Sequence, residues 1–226
     1  MTANPVFVAL DTPELAKARA VAVAVRDHVG GLKLGLEFFM AQGPAGVRAL
    51  AEVGLPIFLD VKLHDIPNTV AGAMRSLSPL GLAIVNVHGA GGRAMMAAAR
   101  EAMAPETKVI AVTVLTSLDA ADLGDIGVAG AADAQVARLA ELARAAGLDG
   151  IVCSAHEVAA RRAAWADGLF VIPGIRPAGS DIGDQKRVMT PRQALDAGAS
   201  VLVVGRPITA AADPAAAAAA IAASLR

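Results

Sequence analysis

Eight short runs rich in valine, isoleucine and leucine punctuate the chain: Val6–Leu10, Leu32–Leu34, Ile57–Leu63, Ala83–Val87, Val109–Leu115, Gly150–Ser154, Leu169–Pro173 and Val201–Val204. Each is followed by a longer helical pattern, mostly alanine-rich and amphipathic. Continuous apolar runs without strict alternation suit parallel strands covered on both faces. Eight strand–helix units in 226 residues fit an α/β fold, a (β/α)8 TIM barrel, with residues 1–226 as a single domain. A doubly wound open sheet is the architectural alternative, but no G-x-G-x-x-G follows the first run.

Helix starts are marked by Thr12-Pro13-Glu14, Thr190-Pro191 and Asp213-Pro214. Each places a capping side chain before a proline at the first helical position. Gly30, Gly54, Gly147 and Gly198 fall at helix ends, where a left-handed residue is often needed. The alanine tract at 215–220 reads as a closing helix.

The chain is 55% hydrophobic and 18% charged, ample for a sizeable core. Its 20 basic and 21 acidic residues give a net charge of -1, so no global basic field draws nucleic acid or anionic membrane. Mean hydropathy is +0.54, yet the longest apolar stretch, Ala215 to Leu225, is shorter than the roughly 20 residues a membrane span needs. Met1 to Leu10 lacks the basic start and long apolar region of a signal peptide. The expectation is a soluble cytoplasmic protein. The one cysteine, Cys153, lies in an apolar run and reads as a buried core thiol.

The charges are more informative. In Phe58-Leu59-Asp60-Val61-Lys62-Leu63-His64-Asp65 an apolar strand ends by placing Asp60 and Lys62 two residues apart. Two apart in a strand means one face. Turned outward, the pair would meet the apolar backs of helices and pay a desolvation penalty; the barrel mouth is the easier place. A salt bridge that merely closes the strand end is the alternative. Asp11 ends the first strand, and Lys33 sits between leucines in the second. A lone charge there is expensive unless paired or functional. These four residues can converge as a Lys–Asp–Lys–Asp array, with Asp65 in the loop beyond.

Toward the other end, Val203-Val204-Gly205-Arg206 closes the eighth strand, and Pro173-Gly174-Ile175-Arg176-Pro177 follows the seventh. Barrels often bind phosphate at these loops, and arginine grips phosphate with two parallel hydrogen bonds. Arg176 and Arg206 therefore suggest a phosphorylated substrate, against the alternative of ordinary loop basicity. His28, His64, His88 and His156 form no spaced ligand motif, so no metal is expected. His88 ends the fourth strand and is either a site-lining or a hydrogen-bonded structural histidine.

The stretch Asp60-Val61-Lys62-Leu63-His64-Asp65-Ile66-Pro67-Asn68-Thr69 resembles the D-x-K-x-x-D-I-P-N-T signature of the orotidine 5'-phosphate decarboxylase family. The resemblance extends through Ala9-Leu10-Asp11, Leu32-Lys33-Leu34-Gly35, Asn86-Val87-His88, Leu115-Thr116-Ser117, Gly174-Ile175-Arg176, Asp184-Gln185-Lys186-Arg187 and Val204-Gly205-Arg206. D-x-K alone is shared with related sugar-phosphate barrels; the longer run with the Gly-Ile-Arg and Gly-Arg elements is specific.

The resemblance implies cofactor-free decarboxylation of orotidine 5'-phosphate to UMP, the last step of de novo pyrimidine nucleotide synthesis. It makes Lys62 the proton donor to C6, with Asp60, Lys33 and Asp65 as its charged partners. Asp11 and Lys33 would hold the ribose hydroxyls. Thr116 and Gln185 would face the pyrimidine or its surroundings, and Arg176, Gly205 and Arg206 the phosphate. Asp65, Ile66 and Thr69 would enter the site from the partner subunit of a homodimer. The chain has no tyrosine, so a tyrosine–phosphate contact used by some relatives is impossible. A metal-dependent sugar-phosphate decarboxylase, a Schiff-base aldolase using Lys33 or Lys62, and a non-catalytic nucleotide-binding protein are the competing readings.

Overall fold

Strands form at all eight apolar runs. The structure, a computed structural model, describes residues 4–177 and 189–225. Its strands are β1 (Val6–Ala9), β2 (Gly31–Gly35), β3 (Ile57–Leu63), β4 (Ile84–His88), β5 (Lys108–Val112), β6 (Gly150–Val152), β7 (Leu169–Ile172) and β8 (Val201–Val204). They pair in parallel in chain order, and β8 closes on β1. Closure rules out the doubly wound alternative.

Helices α1 (Leu15–Val25), α2 (Leu36–Ala51), α3 (Pro67–Leu77) and α4 (Gly92–Glu101) follow the first four strands. Helices α5 (Ala120–Asp125) and α6 (Ala132–Ala145) follow β5, and α7 (Val158–Ala164) follows β6. Helix α8 (Pro191–Asp196) leads into β8, with α9 (Arg206–Thr209) and α10 (Pro214–Ala223) after it. Among the described residues no helix is long and apolar enough to cross a membrane.

The two-residue period of the strands divides the core in two. Val6 and Val8 of β1, Leu32 and Leu34 of β2, and Leu202 and Val204 of β8 face the helices in the larger core. Phe7, Ala9, Phe58, Ile84, Ile110, Val171, Val201 and Val203 fill the barrel interior. The interior is thus a packed plug and not a pore. Following the same alternation, Lys33 lies between two helix-facing leucines, and Asp60 comes two residues after the inward Phe58. Strand geometry alone turns both charges toward the barrel axis.

Two capping expectations hold. Thr190 accepts from the Gln193 amide in a reciprocal capping box, and Asp213 accepts from the Ala216 amide. The third does not: α1 begins at Leu15, Glu14 occupies the cap position, and Thr12 accepts only from the Glu14 amide. Thr12 and Pro13 instead belong to the loop that carries Asp11 out of β1. Gly54, Gly147 and Gly198 have positive φ as expected, but Gly30 does not; its amide donates to the Val6 carbonyl at the foot of β1.

Charges near the N-terminal ends of the strands bind backbone. Arg100 donates to the Thr107, Met103 and Ala104 carbonyls and pairs with Asp149 at 3.0 Å. Arg100 thus ties the foot of the barrel together, at the end of the strands opposite the mouth.

Candidate active site

The C-terminal ends of the strands surround a cavity of about 540 Å³. Its lining includes eight residues singled out from the sequence: Asp11, Lys33, Asp60, Lys62, Thr116, Arg176, Gly205 and Arg206. The volume is that of a small-molecule site.

Four of these residues form one chain of charge. Lys33 Nζ lies 2.9 Å from Asp11 Oδ1 and 3.2 Å from Asp60 Oδ2. Lys62 Nζ lies 2.6 Å from Asp60 Oδ1. One carboxylate thus holds two ammonium groups, and the Lys33 side chain is only 9% exposed. Space for the Lys33–Asp11 contact depends on Gly35. A Cβ there would stand 2.6 Å from Asp11 Oδ1 and 3.0 Å from Lys33 Nζ.

Asp60 and Lys62 meet as expected, but not across a regular strand. Leu59 of β3 aligns with Val85 of β4, and Leu63 aligns with Val87. Three β3 residues therefore face the single residue Asn86, and the ladder is broken between them. Lys62 takes φ +52°, the only positive value at a described non-glycine residue. Such a conformation costs on the order of 1–3 kcal/mol, and persists where surroundings impose it. Asn86 is fully buried; its Oδ1 accepts from the Lys62 amide at 2.8 Å and its Nδ2 donates to Asp60 Oδ1 at 2.7 Å. Sequence reasoning passed over Asn86 as a site residue. A polar side chain amid Val85 and Val87, beside the D-x-K strand, was the available signal.

His88 does not line the cavity. Its ring stacks on His64 with centroids 5.3 Å apart, and its Nδ1 accepts from the Ala90 amide. Burial, then the neighbouring His64 and Lys62, push its pKa below the ordinary histidine value, which favours the neutral ring.

Comparison with known proteins fits this geometry. The family model described as "Orotidine 5'-phosphate decarboxylase / HUMPS family" matches residues 4–221. The chain belongs to this family. It is 63% identical to the orotidine 5'-phosphate decarboxylase of Novosphingobium aromaticivorans, covering 98% of this chain and 99% of that one. Identity to the Sphingopyxis alaskensis protein of the same name is 61%, over 93% and 94% of the two chains. The crystal structure of orotidine 5'-phosphate decarboxylase from Lactobacillus acidophilus superposes with a TM-score of 0.87 at 36% identity, covering 99% of each chain.

The remaining expectations for an orotidine 5'-phosphate decarboxylase family member divide by location. Arg176 is buried in the loop after β7, where its guanidinium donates to the Ile175 carbonyl. Gly205 and the exposed Arg206 follow β8 at the mouth. Gln185 lies outside the described residues. Asp65, Ile66 and Thr69 are exposed and do not line the cavity. Asp65 does not cap α3 either: Ile66 holds the cap position without a side-chain bond, and Asp65 Oδ1 accepts from the adjacent Ile66 amide.

Electrostatics keep Asp60 and Lys33 charged. Burial alone would push the Asp60 carboxyl up. The ammonium groups of Lys33 and Lys62, with hydrogen bonds from Lys62 and Asn86, outweigh it and hold Asp60 below its ordinary 3.8. Burial would likewise lower Lys33, but Asp60 and Asp11 together raise it above its ordinary 10.5.

A depressed carboxylate contributes stability that is present above its unfolded value and lost as pH falls through the folded one. Asp60→Asn mimics the protonated form. The unfolding free energy of wild type minus that of Asp60→Asn, from urea denaturation, should therefore decline as pH falls through 3.8 and below. A difference independent of pH across that window would contradict the assignment.

Proposed function

We propose that this protein decarboxylates orotidine 5'-phosphate to UMP without metal or cofactor, with Lys62 delivering the proton to C6. The observation that carries the reading is the Asp11–Lys33–Asp60–Lys62 chain at the mouth of a barrel belonging to this family. Loss of carbon dioxide from C6 leaves an electron pair in the plane of the ring, where the π system cannot delocalise it. Stabilisation has to come from fixed charge beside that carbon. An ammonium group meets both needs of the reaction: it faces the developing carbanion and then gives it a proton. Asp60 Oδ1, at 2.6 Å, holds the Lys62 ammonium in place by a charge-assisted hydrogen bond.

Other residues take binding roles in this reading. Asp11 and Lys33 hold the ribose hydroxyls. Thr116 and Gln185 serve the pyrimidine side, and Arg176, Gly205 and Arg206 the phosphate. Phosphate is remote from the reacting carbon, so its binding energy can be used to assemble the charged array around the ring. The protein acts as a cytoplasmic homodimer in the last step of pyrimidine nucleotide synthesis. Asp65, Ile66 and Thr69 complete the partner's site. Their exposure, and the failure of Asp65 to cap α3, support that placement.

Removing the acid separates chemistry from binding. Lys62→Ala should lower turnover of orotidine 5'-phosphate by on the order of 10²–10⁴-fold or more. Binding of UMP, measured by calorimetry, should remain. Near wild-type turnover in the variant would remove Lys62 from the mechanism.

Subunit mixing tests the shared site. Lys62→Ala and Asp65→Ala proteins should each be inactive. In a mixed dimer one site carries both lesions and the other carries neither, so exchange of subunits should restore activity toward one working site per mixed dimer. No recovery despite verified exchange would place Asp65 outside the partner's site.

A further inference from the structure

We infer that Asn86 is a positioning residue for Lys62 and Asp60: its side-chain amide replaces the missing β3–β4 ladder and fixes Lys62 in its left-handed conformation. The inference rests on the reading that Lys62 is the proton donor.

Between the aligned pairs Leu59–Val85 and Leu63–Val87, β3 has three residues and β4 has one. Backbone pairing cannot serve an excess of this kind, so polar groups in the bulge need another partner. Asn86 is fully buried, and a buried side-chain amide has to satisfy both its carbonyl and its NH₂. It does so on both sides of the bulge. Oδ1 accepts from the Lys62 amide at 2.8 Å, and Nδ2 donates to Asp60 Oδ1 at 2.7 Å. The same Asp60 oxygen receives Lys62 Nζ at 2.6 Å. Backbone amide, carboxylate and ammonium are thereby locked into one closed set of hydrogen bonds through a single side chain.

The lock has a consequence for aim. Lysine does not rest at φ +52° without imposed contacts, and the Asn86 bond to the Lys62 amide is such a contact. Released, the segment can relax toward ordinary strand geometry and carry the ammonium off its line. The Nδ2 donor also reserves half of the Asp60 Oδ1 acceptor capacity, so Lys62 approaches from the remaining side. The carboxamide supplies acceptor and donor in one group; aspartate at the same place keeps the acceptor but loses the donor and adds a like charge beside Asp60.

The test uses Asn86→Ala and Asn86→Asp in the full-length protein. Both should lower kcat for orotidine 5'-phosphate by about 10–100-fold, the range for losing a hydrogen bond to a charged group, with KM changed much less. Crystal structures of the variants should show Lys62 leaving the left-handed region or Nζ moving away from Asp60. If Asn86→Ala does not fold, the nearly isosteric Asn86→Asp carries the test. Should the wild type prove inactive on orotidine 5'-phosphate, the proposed reaction fails, and the variant structures alone decide the inference. Lys62 retaining its position and φ in both variants would overturn it, as would kcat within twofold of an active wild type.

Discussion

Asp60 holds two ammonium groups on one carboxylate, Lys62 on one oxygen and Lys33 on the other. That arrangement decides much of what surrounds it. A buried carboxylate facing one cation gains an ion pair. Facing two, with a further donor from Asn86, it becomes the fixed centre of a chain in which two carboxylates alternate with two ammonium groups. Burial works against the charges of Asp60 and Lys33, and mutual attraction keeps both ionised. Removing one partner would leave another charge buried without compensation. A group of this kind is poor material for stability and good material for electrostatic work on a ligand.

The strands around it are shaped to fit. β2 contributes Lys33 between two glycines at the inward positions, Gly31 and Gly35. Gly31 leaves room for the Phe7 ring, and Gly35 leaves room for the Asp11–Lys33 contact. β3 gives up regular pairing so that Lys62 can reach Asp60 from two residues away. The bulge lies at the C-terminal end of the strand, above the Phe58 and Ile84 plug. Irregular backbone is thus confined to the mouth, while the packed interior below keeps the array from shifting.

Much of this was legible in the residues, because the controlling terms are local. Apolar runs marked every strand, and the two-residue period turned Lys33 and Asp60 inward. Thr190 and Asp213 announced their helices through side chains that bond three residues on. Thr12 carried the same signal and failed, since the chain leaving β1 continues as loop through Pro13 before α1 begins. Gly30 suggested a left-handed turn, yet pairing with β1 holds it in an ordinary conformation. The bulge at residues 60–62 and the hydrogen bonds of Asn86 were not legible; the polar side chain between Val85 and Val87 was their one local sign. Both arise from register between β3 and β4, a relation between distant segments that no local pattern encodes. Asp65 shows the reverse case: its spacing was plain, but the use proposed for it involves a second chain, which one sequence does not display.

In the proposed reaction, fixed side-chain charge acts without metal. This mechanism is tested most directly by following the absorbance of orotidine 5'-phosphate with purified wild-type protein in the presence and absence of EDTA. Loss of substrate and formation of UMP are expected at the same rate in both. No turnover, or turnover that EDTA abolishes and a divalent metal restores, would contradict it.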